Sequence, residues 1–255
     1  MLILLTNDDG IYAPGLAAME RELQRLGDVY VVAPATEQSG VGHSITYLRP
    51  LVVKELFAGH QRRGWAVEGS PADCVKIGIF EFCPRLPDLV VSGINSGLNA
   101  GINVLYSGTV AAAIEGAFFG ITSVAVSLEF DDRAQFDHAA RLAGQVIEKI
   151  MAQKGPAPQL FNLNLPIAAL AAEERRLKVV PMGLARVGEQ YEKRIDPRGR
   201  SYFWALSEPS AATHEQDSDI SALRQGYITL TPLDFDLTKR PLLAEMNDWN
   251  FRLAG

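Results

Sequence analysis

The sequence predicts an α/β fold built on an open, largely parallel sheet. Two observations carry that expectation. Short runs that are apolar throughout, such as residues 2–5 and 29–33, alternate with stretches whose apolar residues recur at helical spacing. Strands of a parallel sheet are buried on both faces and require such runs. Several of the runs also end in loops rich in Asp, Asn, Ser and Gly, which suits a ligand-binding rim beyond strand C-termini.

Residues 2–5 form the first predicted strand, which stops at Asp8-Asp9-Gly10. A helix follows over 16–26, with Gly27 as its stop signal. Residues 29–33, ended by Pro34, complete a βαβ unit, whose crossover is expected to be right-handed. A connection rich in Ser and Gly spans 36–46. Residues 51–57 and 65–67 read as strands joined by a polar turn. Ser70 caps a helix expected from Pro71 to about Phe82. Residues 88–92 are the next parallel strand, opening into a Gly- and Asn-rich loop over 93–108. Thr109 begins a small-residue helix through Phe119, and 123–127 is a strand. An amphipathic helix covers 136–151, and a strand over 159–165 is closed by Pro166. Beyond Pro181 the charged tract 189–200 and the aromatic tract 201–206 predict a projecting hairpin. A polar stretch at 213–222, a strand at 227–230 and a closing helix over 242–253 complete the pattern.

A chain of 255 residues can bury one large core with an appendage. Lys+Arg 24 against Asp+Glu 30 leaves a net charge of −6, which argues against a nucleic-acid scaffold as partner. Cys74 and Cys83 suggest no disulfide framework and read as buried thiols. The N-terminus lacks the basic start and long apolar run of a signal peptide. The longest apolar region, 110–128, is broken by Glu115, Gly116, Gly120, Thr122 and Ser123, so no membrane association is expected. Cytoplasmic localisation follows as the default.

Three loops, 7–15, 36–46 and 93–108, would open onto one rim if the sheet is parallel. Their polar content is mostly oxygen: Asp8 and Asp9, Ser39, then Asn95, Asn99 and Asn103. Such donors suit hard divalent cations, whereas the four histidines are scattered and no zinc spacing occurs. Two adjacent acids repel each other unless a cation compensates, although Asp-Asp-Gly also makes an ordinary turn. Asn95, between glycines, is equally a turn residue. Ser107-Gly108-Thr109 caps the helix that follows, as a plain N-cap or as a phosphate site. His43 could serve as an acid, a substrate contact or a loop hydrogen-bond partner. No P-loop or dinucleotide fingerprint is present, and Gly93-Ile94-Asn95-Ser96-Gly97 has Asn where a nucleophile elbow needs Ser.

Taken together, these segments resemble the signature blocks of the SurE family. They are Thr6-Asn7-Asp8-Asp9-Gly10-Ile11-Tyr12-Ala13-Pro14-Gly15, then Ala33-Pro34 through Gln38-Ser39-Gly40, then Ser92-Gly93-Ile94-Asn95 through Gly101. Tyr106-Ser107-Gly108-Thr109-Val110-Ala111-Ala112-Ala113, Asn162-Leu163-Asn164-Leu165-Pro166 and Gly199-Arg200-Ser201-Tyr202 continue the likeness. The resemblance implies a Rossmann-like three-layer α/β/α sandwich with a C-terminal hairpin arm and closing helix. It divides the chain into a catalytic core, 1–182, and an extension, 183–255, used in homodimer or homotetramer assembly. It further implies a metal-dependent phosphatase acting on nucleoside 5′-monophosphates, and on 3′-monophosphates as well. One divalent cation per subunit, Mg²⁺ or Mn²⁺ with Ca²⁺ able to occupy the site, would be held by Asp8, Asp9, Ser39 and Asn95. Asp8, Asp9 and Asn95 would act in catalysis, and Asn99, Ser107, Gly108 and Thr109 would receive the substrate phosphate. An aspartyl-nucleophile phosphatase and a non-enzymatic metal and nucleotide sensor are the competing readings.

Overall fold

A computed structural model describes residues 1–184, 188–208 and 217–249. The strands are β1 (Leu2–Thr6), β2 (Asp28–Pro34), β3 (Val53–Ala58), β4 (Gln61–Val67), β5 (Leu89–Ser96), β6 (Thr122–Leu128), β7 (Leu160–Leu165), β8 (Leu177–Val179), β9 (Gly188–Ile195), β10 (Ser201–Glu208) and β11 (Ile228–Leu233). The helices are α1 (Pro14–Leu23), α2 (Pro71–Ile77), α3 (Gly108–Phe118), α4 (Phe136–Gln153), α5 (Ile167–Ala171), α6 (Asp219–Arg224) and α7 (Arg240–Asn247).

Nine strands form one sheet in the order β3-β4-β2-β1-β5-β6-β7-β11-β8. From β4 to β7 every neighbouring pair is parallel. β3 runs antiparallel to β4, and β11 antiparallel to β7. The sheet is therefore mixed at its two margins and parallel where the rim loops arise.

Successive side chains of a strand point to opposite faces, and β1 shows what that requires here. Ile3 and Leu5 join Leu16, Met19 and Leu23 of α1 and Ile147 of α4 in one cluster. Leu4 points the other way and packs with Val32, Trp65, Cys74, Val75 and Ala112, under α2 and α3. Each face carries its own helical layer, as the three-layer reading expects. The small residues of α3 bring it close to the sheet. A Cβ on Gly116 would lie 2.5 Å from Ser123 Oγ.

Several expectations shift in detail. The helix from Pro71 ends at Ile77, and Gly78–Phe82 continues as a π-helical turn. β5 runs on through Asn95 to Ser96, so Asn95 stands on a strand end rather than inside a loop. The ladder with β6 skips from Ser92 to Asn95, so the strand resumes pairing beyond an irregularity at Gly93-Ile94. Short elements β8, α5 and α6 were not anticipated, since three to six residues carry too little periodicity. The closing helix ends at Asn247, and residues 250–253 of its expected span lie outside the described residues. The polar stretch 213–222 is described only from 217 onward.

The projecting hairpin is present as β9 and β10, paired antiparallel from Gly188↔Glu208 to Ile195↔Ser201. Those two strands form their own sheet. β11, by contrast, is inserted between β7 and β8. The main sheet thus draws on residues from both sides of position 182.

Candidate metal and phosphate site

β1 delivers its last residues to the rim between the ends of β2 and β5. Asn7 Nδ2 donates to the Gly10 carbonyl at 3.0 Å and closes the turn. Gly10 has φ +100°, and a Cβ there would lie 3.4 Å from the Thr36 backbone carbon. Left-handed geometry and a close neighbour both favour glycine at this point.

Asp8 and Asp9 diverge, as adjacent residues at a strand end should. Asp8 is buried and turns toward α3, where its Oδ1 accepts a hydrogen bond from the Thr109 hydroxyl. A Cβ on Gly108 would lie 3.0 Å from Asp8 Cβ and 3.2 Å from Oδ2. The carboxylate therefore occupies the N-terminal end of α3, where the helix dipole favours negative charge. Asp9 turns toward β5, and its Oδ2 accepts from the Ser96 backbone N–H at 3.1 Å.

The rim loops are tied to one another by backbone bonds. Ile11 N donates to the Pro34 carbonyl at 2.8 Å, and Gln38 N to the Asp8 carbonyl at 2.8 Å. Gly42 N donates to the Tyr106 carbonyl at 3.0 Å, which joins the second loop to the third. These bonds bring the segment bearing Ser39 to the two acids. Ser39 itself is exposed, with its hydroxyl donating to Glu37 Oε1 at 2.6 Å. Asn95 Nδ2 donates to the Gly97 carbonyl at 2.7 Å.

Electrostatics explains why the site suits a cation. Burial raises the Asp8 carboxyl above its ordinary value, against the lowering effect of the Thr109 hydrogen bond. Burial and then the neighbouring Asp8 push Asp9 up to about 6, and Glu37 adds to the repulsion. Glu37 is a contributor that the sequence reading did not single out. Like charges held together at low dielectric cost stability unless a positive partner joins them. Among the described residues no group of three or more His, Cys, Asp or Glu side chains is placed to hold a metal ion. A hard cation here would need hydroxyl and amide oxygens beside the two carboxylates, the donor types that Ser39 and Asn95 carry.

The predicted phosphate contacts divide. Ser107 caps α3, its Oγ accepting from Val110 N at 3.1 Å. Thr109 is engaged with Asp8. Asn99 is spent on holding its loop. Its side chain donates to Ser127 Oγ at 2.9 Å, and its backbone N–H donates to Asn164 Oδ1 at 2.8 Å. Its carbonyl accepts from Asn162 Nδ2 at 2.7 Å and Asn164 Nδ2 at 3.0 Å. The Asn-Leu-Asn motif at the end of β7 is thus a platform for the third rim loop, a role with no signal in spacing alone. Asp219 is a second such anchor. Fully buried, it accepts from Gly101 N and Gly183 N, both at 2.8 Å. It ties the same loop to the segment entering the C-terminal region. The cysteines stay apart from this chemistry: burial raises the Cys74 thiol strongly and pushes Cys83 up to about 11.

Comparison with known proteins places this chain in a family. The family profile described as Survival protein SurE matches residues 3–193. The chain belongs to the SurE family. A 5′-nucleotidase SurE of Rhodopirellula baltica is 61% identical over 254 residues, covering 99% of this chain and 100% of the relative. A protein of the same name from Heliobacterium modesticaldum is 45% identical, covering 98% and 92%. The crystal structure of a SurE protein from Aquifex aeolicus superposes with a TM-score of 0.85 at 35% identity, covering 97% of this chain and 98% of that one. Family membership agrees with the mixed α/β architecture.

Proposed function

We propose that the chain is a metal-dependent 5′-nucleotidase, hydrolysing nucleoside 5′-monophosphates, and 3′-monophosphates as well, to nucleoside and phosphate. The observation that carries the reading is the pair Asp8 and Asp9, destabilised as anions yet held at the mouth of a sheet rim. Near full-length likeness to relatives bearing that activity in their names supports it.

One divalent cation per subunit, Mg²⁺ or Mn²⁺, with Ca²⁺ as an alternative occupant, would be held by Asp8, Asp9, Ser39 and Asn95. Such an ion supplies Lewis acidity toward a phosphoryl oxygen and lowers the pKa of a water. The chain's own groups do the rest. Thr109 fixes Asp8 through its hydroxyl, and Ser96 N–H fixes Asp9, so both carboxylates are oriented before substrate arrives. Ser107, Gly108 and Thr109 open α3, and a helix N-terminus suits a phosphate brought in beside Asp8. The Asn95 amide would stabilise charge that develops on the phosphoryl group. Of the proposed phosphate contacts, Asn99 acts through the loop it holds.

Two further parts of the reading concern setting. The hairpin β9–β10 exposes Tyr191, Ile195, Tyr202, Phe203 and Trp204, and α7 buries none of its residues. Both features support assembly into a homodimer or homotetramer through residues 183–255. The two free cysteines agree with a reducing cytoplasm. Among the described residues no helix is long and apolar enough to cross a membrane.

The test is phosphate release from a panel of nucleoside monophosphates with and without Mg²⁺ or Mn²⁺. Metal-dependent release that disappears on chelation is the expected result. Nucleotide binding without release in any metal would favour a sensor, and a trapped phosphoenzyme would favour an aspartyl nucleophile.

A further inference from the structure

Glu115 is the single charged residue of α3, a helix otherwise made of small and apolar side chains. It is 4% exposed. A carboxylate buried there is costly unless it is paired. Its partners come from two other elements: His43 Nε2 at 2.6 Å and Lys76 Nζ of α2 at 3.8 Å. The imidazole also stacks on Phe118, with ring centroids 5.2 Å apart and 18° between planes. Positions 115 and 118 are neighbours on one helix face, so α3 grips the ring from its edge and from its flat side.

His43 belongs to the second rim loop, which runs without helix or strand from Ser39 through Thr46. One end of that loop is fixed where Gln38 N donates to the Asp8 carbonyl. Beyond it come Ser39-Gly40-Val41-Gly42, with Gly40 at φ +69° and Gly42 at φ +57°. A Cβ on Gly40 would meet nothing within 4 Å. Ser39 therefore stands on an exposed, glycine-bearing bridge, whose far end is held by the backbone bond from Gly42 N to the Tyr106 carbonyl and by the His43–Glu115 side-chain pair.

We propose that His43 and Glu115 are positioning residues, a clamp that pins the loop to α3 and so holds Ser39 toward Asp8 and Asp9. The clamp rests on the metal-site reading given above and adds a side-chain support to the backbone bonds at Gln38 and Gly42. Because α3 also carries Thr109, which holds Asp8, one rigid helix sets both an acid and the hydroxyl loop.

The test measures Mn²⁺ binding directly, by electron paramagnetic resonance on the full-length protein without substrate, and kcat across a range of Mn²⁺. His43→Leu keeps the packing on Phe118 and loses the bond to Glu115. It is expected to weaken Mn²⁺ binding by about tenfold or more, with kcat restored at saturating metal. His43→Gln places an amide N–H near the position of Nε2 and is expected to bind Mn²⁺ within about threefold of the parent. Unchanged Mn²⁺ affinity in His43→Leu, with or without a lowered Tm, overturns the clamp. So does a His43→Gln variant as impaired as His43→Leu with kcat not restored by metal, since that pattern needs imidazole chemistry. An Asp8→Asn control separates the two ideas: Mn²⁺ binding that survives it sinks the metal site rather than the clamp.

Discussion

The rim at the end of β1 and the hairpin β9–β10 handle polar and apolar groups in opposite ways. At the rim, Asp8 is buried and Asp9 partly so, and each is met by a donor from another element, Thr109 of α3 for Asp8 and Ser96 of β5 for Asp9. In the hairpin, aromatic side chains face outward, with Tyr191 66% and Trp204 58% exposed. The rim stores electrostatic cost that a cation would release, and the hairpin stores apolar area that a second protein surface would cover. Each region carries a local cost within a single chain, and these are the two places where the proposed cation and the proposed second subunit would act.

The largest effect should come from neutralising the rim. Asp8→Asn or Asp9→Asn is expected to lower kcat/KM by about a thousandfold or more, by removing charge that counts in the transition state. The same variants relieve repulsion, so the metal-free Tm should rise by about 2–4 °C, the shift of about 1 kcal/mol in a domain of this size. A fall in both activity and metal-free Tm would contradict the stored-cost account.

Shifting Asp8 without changing its charge should matter less. Gly108→Ala sets a Cβ 3.0 Å from Asp8 Cβ, and the acid must move. A loss of about 10–100-fold in kcat is expected, as for a reactive group displaced by a fraction of its length. Parent-like kcat would show that Asp8 tolerates displacement.

The pH dependence sharpens the same point. Asp9 is held up to about 6 in the folded, metal-free chain, above its ordinary value of 3.8. A raised acid favours the folded state when protonated, so its contribution to stability is present at low pH and is lost as pH rises from about 4 through 6. Metal binding needs the ionised form and runs the other way. Mn²⁺ affinity should fall by about tenfold per pH unit below 6 if one proton is displaced, as calorimetry can measure. A flat profile between pH 5 and 7 would remove Asp9 from the ligand set.

The smallest effect on the core belongs to the hairpin. Replacing residues 188–208 by a short Gly-Ser linker should lower the mass seen by light scattering while changing Tm by only a few degrees, since β9 and β10 pair with each other alone. Unchanged mass would free the hairpin of any role in assembly.

Much of the fold was legible before any coordinates. Apolar runs marked the central strands because a strand buried on both faces leaves no room for polar side chains. The rim acids stood out for the converse reason, two charges directly after such a run. The family resemblance then proposed Ser39 and Asn95 as their companions, which spacing alone left open. What stayed hidden was pairing between distant segments. The insertion of β11 beside β7, the support of Asn99 by Asn162 and Asn164, and the anchoring of Gly101 and Gly183 by Asp219 leave no periodic trace.

The chain by itself therefore determined which segments are buried and where oxygen donors gather, because burial and local chemistry are written in composition and period. Only the tertiary structure decided which donor meets which acid. Thr109, expected from the resemblance at the substrate phosphate, donates its hydroxyl to Asp8, and His43, undecided in the sequence, is held by Glu115. Hydrogen bonds between residues far apart in the chain depend on how the elements pack in space, and sequence separation carries no information about that.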